Sequence, residues 1–509
     1  MNPHTALYTV EELRRLESLA APACGAPLME RAGRAAAEFA LRLTAHDAAR
    51  PILIACGPGN NGGDGFVMAR LLREAGRQVT LAFHGDVTRL SEDARAAYSA
   101  WWQAGGREVA TLPAMPAEGW ALAVDALFGI GLTRDIAEPW ADWIARMNAL
   151  PCPRLALDIP SGLFADTGCA GATTFRATHT LTFLTHKPGC HTADGPDCCG
   201  QLQLATLDVD APTLLPAGAH LICRGRLGRA LPARRANSHK GDYGTVALLG
   251  GAHGMVGALW LAARAALMLG SGRVLAAALG NDAPPVDPNY PEIMTRAPDA
   301  LPDIATVLAI GPGLGQSEEA VNLLTRLLSL EQPLPLVLDA DALNLIAADA
   351  SLVLCLAARG AIHRGPCLLT PHPAEAARLL ECDTAAVQRD RIGAARKLAQ
   401  KFRAYVLLKG CGSVLAHPDG RWQLNTSGNA ALATAGSGDV LTGMIAALLA
   451  QGIAPEDALA LAAHLHGLAA EALCQQDDGP VGLNAGALAQ AARRILNRWL
   501  REAQNAAQA

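Results

Sequence analysis

Asn425-Thr426-Ser427-Gly428-Asn429-Ala430-Ala431-Leu432-Ala433-Thr434-Ala435-Gly436-Ser437-Gly438-Asp439 runs without a break into Val440-Leu441-Thr442-Gly443-Met444-Ile445-Ala446-Ala447-Leu448-Leu449. Val440, Leu441, Met444, Ile445, Leu448 and Leu449 recur at three- and four-residue spacing, so the second part predicts a helix and the first part its leading loop. The small residues Ala435, Gly436, Ser437 and Gly438 let the backbone come close to a ligand. Their N–H groups stand at the positive end of the helix dipole, which suits phosphate. A carboxylate at Asp439 repels phosphate oxygens unless it takes a proton or holds a metal. It therefore reads either as a general base acting on a hydroxyl or as a helix cap. The long uncharged glycine-rich run ahead of it favours the base.

Outward from this stretch, the same half repeats one pattern: an apolar strand ending in Gly, Asp, His or Lys. The strand predicted at 245–249 follows His239-Lys240-Gly241-Asp242-Tyr243-Gly244 and leads into Gly250 and Gly251, ahead of a long apolar helix near 256–269. Further strands end in Gly311-Pro312-Gly313-Leu314-Gly315, in Asp339-Ala340-Asp341, in Pro371-His372-Pro373-Ala374-Glu375 and in Lys409-Gly410-Cys411-Gly412-Ser413. Five such ends on one rim of a sheet point to a site. Taken singly, His372 reads equally as a helix cap, and Lys409 as a surface lysine.

In the first half, strands predicted at 52–56, 79–83, 121–126, 155–159 and 178–184 alternate with helices at 64–75, 91–104 and 139–149. This is the alternation of a parallel sheet covered on both faces, whose ligands lie beyond the carboxyl ends of the strands. Helices between about 8 and 43, jointed at Pro22 and Pro27, are expected to cover one face. Three strand ends carry polar chemistry: Gly57-Pro58-Gly59-Asn60-Asn61-Gly62-Gly63-Asp64-Gly65, Asp125 to Leu132, and Asp158-Ile159-Pro160-Ser161-Gly162. The first has dinucleotide glycine spacing but lacks the usual acidic ribose partner. Asn61, Asp125 and Ser161 offer oxygens from separate strand ends, a cradle for a hard cation, although each alone reads as a turn or cap residue. Asp158 reads as an acid/base group or as an exposed strand end. Lys187 reads as a surface lysine, a phosphate contact or a proton donor.

The 509 residues, 51% of them hydrophobic, are enough for two or more domains. Between about 208 and 239 the periodicity lapses amid Pro212, Pro216 and Pro232, which reads as a linker and entry strand, and an arginine cluster (Arg224, Arg226, Arg229, Arg234, Arg235) reads as a solvated face or as a place where the two halves dock. A net charge of −5 and the lack of a basic stripe argue against nucleic acid. Thirteen cysteines, scattered from Cys24 to Cys474 without a Cys-x-x-Cys pair, indicate neither a disulfide framework nor a zinc site, and fit a reducing cytoplasm. Charged residues from Glu11 to Glu17 argue against a signal peptide, and Arg264 interrupts the long apolar helix, so no membrane association is expected.

Residues 57–64, 125–131 and 158–162, with 239–244, 311–315, 371–375, 409–413 and 434–439, together resemble the bifunctional NAD(P)H-hydrate repair enzymes. The resemblance covers nearly the whole chain in the family's domain order. It implies an α/β fold of two domains: a Rossmann-like three-layer epimerase at 1–217 and a ribokinase-like, ADP-using dehydratase at 218–509. It also implies that Asn60, Asn61, Gly62, Gly63, Asp64, Gly129, Ile130, Gly131, Leu132, Thr133, Arg134 and Asp135 line the hydrate site. Asp158 would stand at the reacting ring, with K+ held by Asn61, Asp125 and Ser161. In the second half Ala258, Gly313, His372 and the catalytic Asp439 would contact the hydrate. Lys409, Gly410, Cys411, Gly412, Ser413 and Gly438 would contact the adenine nucleotide, with Mg2+ as cofactor. A homo-oligomer is expected. Ser437 stands where the family pattern has threonine, and both carry a hydroxyl. The alternatives are a vitamin or sugar kinase fused to a dinucleotide-binding domain, because a Gly-Ser-Gly-Asp site serves phosphorylation of any alcohol, and a non-catalytic nucleotide sensor.

Overall fold

The computed structural model describes residues 5–20, 26–227, 234–362, 364–476 and 479–508. Pro22, Cys24, Arg229 and Pro232 lie outside them, as does the side chain of Arg226. The chain divides into two compact units, Met1–His220 and Leu221–Ala509.

In the first unit a parallel sheet runs in the order Glu108–Val109, Val79–Phe83, Ile52–Cys56, Leu122–Ala126, Arg154–Leu157, His179–Phe183, Gln201–Ala205. Alternate side chains of one strand serve opposite faces. Ile52, Ile54 and Cys56 pack with the helices Leu28–Leu43, Asn60–Glu74 and Glu92–Gln103, whereas Leu53 and Ala55 pack with Trp143, Ile144 and Met147 of Trp140–Asn148. Three layers result. The chain leaves Ile52–Cys56 on one side and returns on the other at Leu122–Ala126, so the crevice where ligands bind opens between these two strands. The helix expected to begin near 64 begins at Asn60, because its glycines are packing surfaces. A Cβ built on Gly62 would lie 1.9 Å from the Gly57 carbonyl oxygen, and one on Gly65 2.6 Å from Cys56 Sγ.

In the second unit the strands lie in the order Trp422–Asn425, Ser413–Ala416, Tyr405–Leu408, Cys367–Leu369, Leu336–Leu338, Val307–Ile310, Thr245–Gly250, Arg273–Ala278, Met294–Thr295. Neighbours are parallel except where Ser413–Ala416 pairs with the strands on either side of it. The switch point here falls between Thr245–Gly250 and Val307–Ile310. The helix Ser437–Ala450 packs on Val256–Met268 so closely that a Cβ on Gly443 would fall 2.0 Å from the Ala262 carbonyl oxygen. Among the described residues no single helix is long and apolar enough to cross a membrane.

Candidate active sites

In the first unit a cavity of about 1020 Å3 opens at the switch point. Asn60, Asn61, Asp64, Gly129, Ile130, Gly131, Leu132, Thr133, Arg134, Asp158 and Lys187 line it. Gly62, Gly63 and Asp135 do not line it. Gly62 packs on Gly57, a Cβ on Gly63 would meet the Met29 side chain at 2.6 Å, and Asp135 Oδ1 accepts a hydrogen bond from Ala172 N at 3.0 Å. Arg14 and Glu17 also line the cavity, from the helix Val10–Ala20 that the sequence marked only as cover.

Asp158 sits at the end of Arg154–Leu157 with φ 66°, a strained value for a residue with a side chain. Its Oδ1 accepts from Phe183 N at 3.1 Å and from Lys187 Nζ at 2.5 Å. Lys187 is 2% exposed and also donates to the Phe183 carbonyl at 2.6 Å, which rules out the surface-lysine reading. Burial, then the charges of Asp158 and Glu17, pushes the Asp64 carboxyl well above the usual range. One cavity thus holds one carboxyl group hydrogen-bonded to a buried lysine and another whose pKa burial raises, which is the raw material of acid/base chemistry.

Beside it, Asp125 is fully buried. Its Oδ1 accepts from Ser161 Oγ at 2.7 Å and Leu127 N at 3.1 Å, and its Oδ2 accepts from Ser161 N at 2.8 Å. Burial raises its pKa to about 6 against these hydrogen bonds. Asn61 is 6% exposed, and neither its Oδ1 nor its Nδ2 has a partner. A buried amide oxygen without a donor is costly and suits a cation.

In the second unit Gly436, at φ 86°, starts the helix Ser437–Ala450. Ser437, Gly438 and Asp439 therefore form its first turn rather than its leading loop, with their N–H groups free of helical partners. Gly436 occupies the N-cap position, so Asp439 lies inside the helix and is not its cap residue. Burial, then the charge of Asp339, raises the Asp439 pKa to about 6, while Lys409 acts in the opposite direction. A Cβ on Gly438 would lie 3.3 Å from Lys409 Nζ and 3.7 Å from Asp339 Oδ2. Lys409 Nζ donates to Asp339 Oδ1 at 2.7 Å, which places this lysine under the glycine-rich turn.

Gly313, at φ 59°, lies against Ala258, whose Cβ would be 3.3 Å from a Cβ built on the glycine. His372 does cap a helix: its Nδ1 accepts from Ala374 N at 3.1 Å and Glu375 N at 3.4 Å. Burial and the Lys409 charge lower its pKa, in keeping with a neutral acceptor ring. Glu375 Oε2 accepts from His372 N at 2.8 Å, and burial raises the Glu375 pKa to about 7. In the turn after Lys409, Ser413 Oγ donates to the Gly410 carbonyl at 3.0 Å. Gly410 (φ 139°) and Gly412 (φ 61°) adopt backbones that favour glycine, and Cys411 is exposed. In the sequence Asp339 is one strand-end residue among several, and Thr442 carries no signal of its own. Thr442 stands three residues after Asp439 on one helix, a spacing that puts the two on neighbouring positions of one face.

Residues 25–189 match the family described as YjeF-related protein N-terminus, and residues 246–494 the family described as NAD(P)H-hydrate dehydratase. The chain is 39% identical over 507 residues to the bifunctional NAD(P)H-hydrate repair enzyme Nnr of Escherichia coli (strain K12), covering 97% of this chain and 94% of that protein. The enzyme of the same description from Coxiella burnetii (strain RSA 493 / Nine Mile phase I) is 36% identical over 508 residues, covering 97% of this chain and 100% of that one. Among solved structures, the ADP/ATP-dependent NAD(P)H-hydrate dehydratase from Bacillus subtilis, co-crystallised with ATP/Mg2+, is 34% identical, with a TM-score of 0.49 over 55% of this chain and 98% of that one. Identity at the level of the first two relatives, sustained over almost the whole of both chains, establishes the kinship: this chain belongs to the family of bifunctional NAD(P)H-hydrate repair enzymes.

Proposed function

We propose that this chain returns hydrated NADH and NADPH to the reduced cofactors, with epimerisation of the R and S hydrates in residues 1–217 and ADP-dependent dehydration of the S hydrate in residues 218–509. The observation that carries the second assignment is the Lys409–Asp339 pair beneath Gly438, one residue from a half-buried Asp439 at a helix N-terminus. Asp439 takes the proton of the ring hydroxyl, whose oxygen attacks the terminal phosphorus of ADP. The bond to AMP breaks, and the N–H groups of the glycine-rich turn neutralise the moving phosphoryl group. Phosphate then leaves the ring carbon as the neighbouring carbon gives up a proton, and the double bond returns without any redox change. Phosphate is a far better leaving group than hydroxide.

Ala258, Gly313 and His372 form the hydrate side of this site, and Lys409 to Ser413 with Gly438 the nucleotide side. Mg2+ would arrive on the nucleotide's phosphates, whose charge it offsets. Among the described residues no group of three acidic, histidine or cysteine side chains is arranged to hold a metal. In the first half Asp158, held by Lys187, moves the proton of the reacting hydroxyl. K+ would be held by Asn61, Asp125 and Ser161; the unpartnered Asn61 oxygen and the burial of Asp125 support this reading. A cytoplasmic homo-oligomer completes the reading, with light scattering as the check on its mass.

Incubation with the S hydrate of NADH separates the classes. Recovery of dihydronicotinamide absorbance on adding ADP supports the dehydratase. Consumption of ATP with a vitamin or sugar alcohol, and no recovery, would replace it with a kinase.

A further inference from the structure

Asp339 follows the strand Leu336–Leu338 and is 1% exposed. Each of its oxygens is taken by a different element: Oδ1 accepts from Lys409 Nζ at 2.7 Å, and Oδ2 from Thr442 Oγ1 at 2.7 Å. Its backbone is fixed independently, since Asp339 N donates to the Ile310 carbonyl at 3.1 Å and a Cβ on Gly311 would fall 1.8 Å from the Asp339 carbonyl oxygen. Lys409 follows the strand Tyr405–Leu408, and Thr442 lies in the helix that begins with Ser437, Gly438 and Asp439.

We propose that Asp339 is a positioning residue of the dehydration site, tying Lys409 and the helix that carries Asp439 into one rigid unit through its two carboxylate oxygens. The inference rests on the dehydratase reading above and gives that site a residue that touches neither hydrate nor nucleotide. A buried carboxylate beneath an anion-binding turn is unfavourable for electrostatics alone. It becomes useful when paired, because it fixes the lysine as a point charge and fixes the first turn of the helix through Thr442, one turn along. The charged groups acting on Asp439 are Asp339, Lys409 and Asp341, and Lys409 is in turn faced by Glu375. Of these, Asp339 is the strongest in raising the Asp439 pKa, after burial.

Two variants of the full chain separate positioning from mere support. Asp339→Asn keeps the shape but removes the charge, so kcat for dehydration falls by roughly 10- to 100-fold, the scale for misplacing a reacting group. The acid limb of its pH profile moves to lower pH, and the KM for ADP holds or falls because Lys409 has lost its counter-ion. Thr442→Val removes only the hydroxyl donor. It lowers kcat in the same direction but leaves the acid limb where it was. In the double variant the losses are less than additive, since one tether is broken twice. Additive losses, an unmoved acid limb in Asp339→Asn, or a rise in KM with kcat unchanged would overturn the inference. If Asp339→Asn does not fold, Thr442→Val with normal kcat overturns it alone. A wild-type chain that fails to dehydrate with ADP would instead defeat the underlying reading, so the two failures are distinct.

Discussion

In the proposed mechanism, the chemistry of the second unit turns on Asp439. Asp439→Asn preserves size but cannot accept the hydroxyl proton, so dehydration falls by roughly 10²–10⁴-fold with epimerisation untouched. Burial and Asp339 hold the wild-type carboxyl at about 6, so dehydration weakens as pH drops through that value. A kcat that stays flat from about pH 7 down to about pH 5 contradicts the base assignment. Asp125 makes the matching case in the first unit. Its pKa rises from 3.8 to about 6 on folding, so the stability its neutral form contributes is complete below 3.8 and is lost as pH rises through about 6. A cation beside the carboxylate offsets that loss. K+ therefore raises a calorimetric unfolding temperature of the full chain more at about pH 7.5 than at about pH 5, and Asp125→Asn removes the difference. A K+ effect equal at both pH values speaks against the cradle.

At the scale of elements, the apolar spacing from Val440 to Leu449 made the helix legible, yet its start was misplaced. Ser437, Gly438 and Asp439 carry no apolar periodicity, and only the left-handed backbone at Gly436 reveals where the helix begins. The strands Ile52–Cys56 and Val79–Phe83 were readable to the residue because they are short apolar runs bounded by turn residues. The glycine run from Gly57 read as loop for its composition, whereas close approach between Gly62 and Gly57 makes part of it helix. Contacts remote in sequence left no trace: the Asp339–Thr442 bond spans 103 residues, and the lining of the first cavity by Arg14 and Glu17 depends on where a covering helix docks. Gly443 is the exposed nerve of the helix pair. Gly443→Ala pushes a methyl into the Ala262 carbonyl and destabilises the second unit by about 1–3 kcal/mol, the cost of overpacking. Calorimetry showing no loss would contradict this close approach of the two helices.

The whole molecule is read as two catalysts in one chain, and the proline-rich, aperiodic stretch between them was visible in composition alone. Expressed separately, residues 1–217 are expected to epimerise and residues 218–509 to dehydrate; if neither piece folds with its own activity, the two-domain reading fails. The most direct test uses the intact chain and an equal mixture of R and S hydrates. With ADP, the wild type restores the full dihydronicotinamide absorbance, because epimerisation feeds the R form to a dehydratase that accepts only S. Asp158→Asn stops near half of that amplitude within the same time, and Asp439→Asn restores almost none. Full recovery by Asp439→Asn, or recovery by the wild type without any adenine nucleotide, contradicts the account.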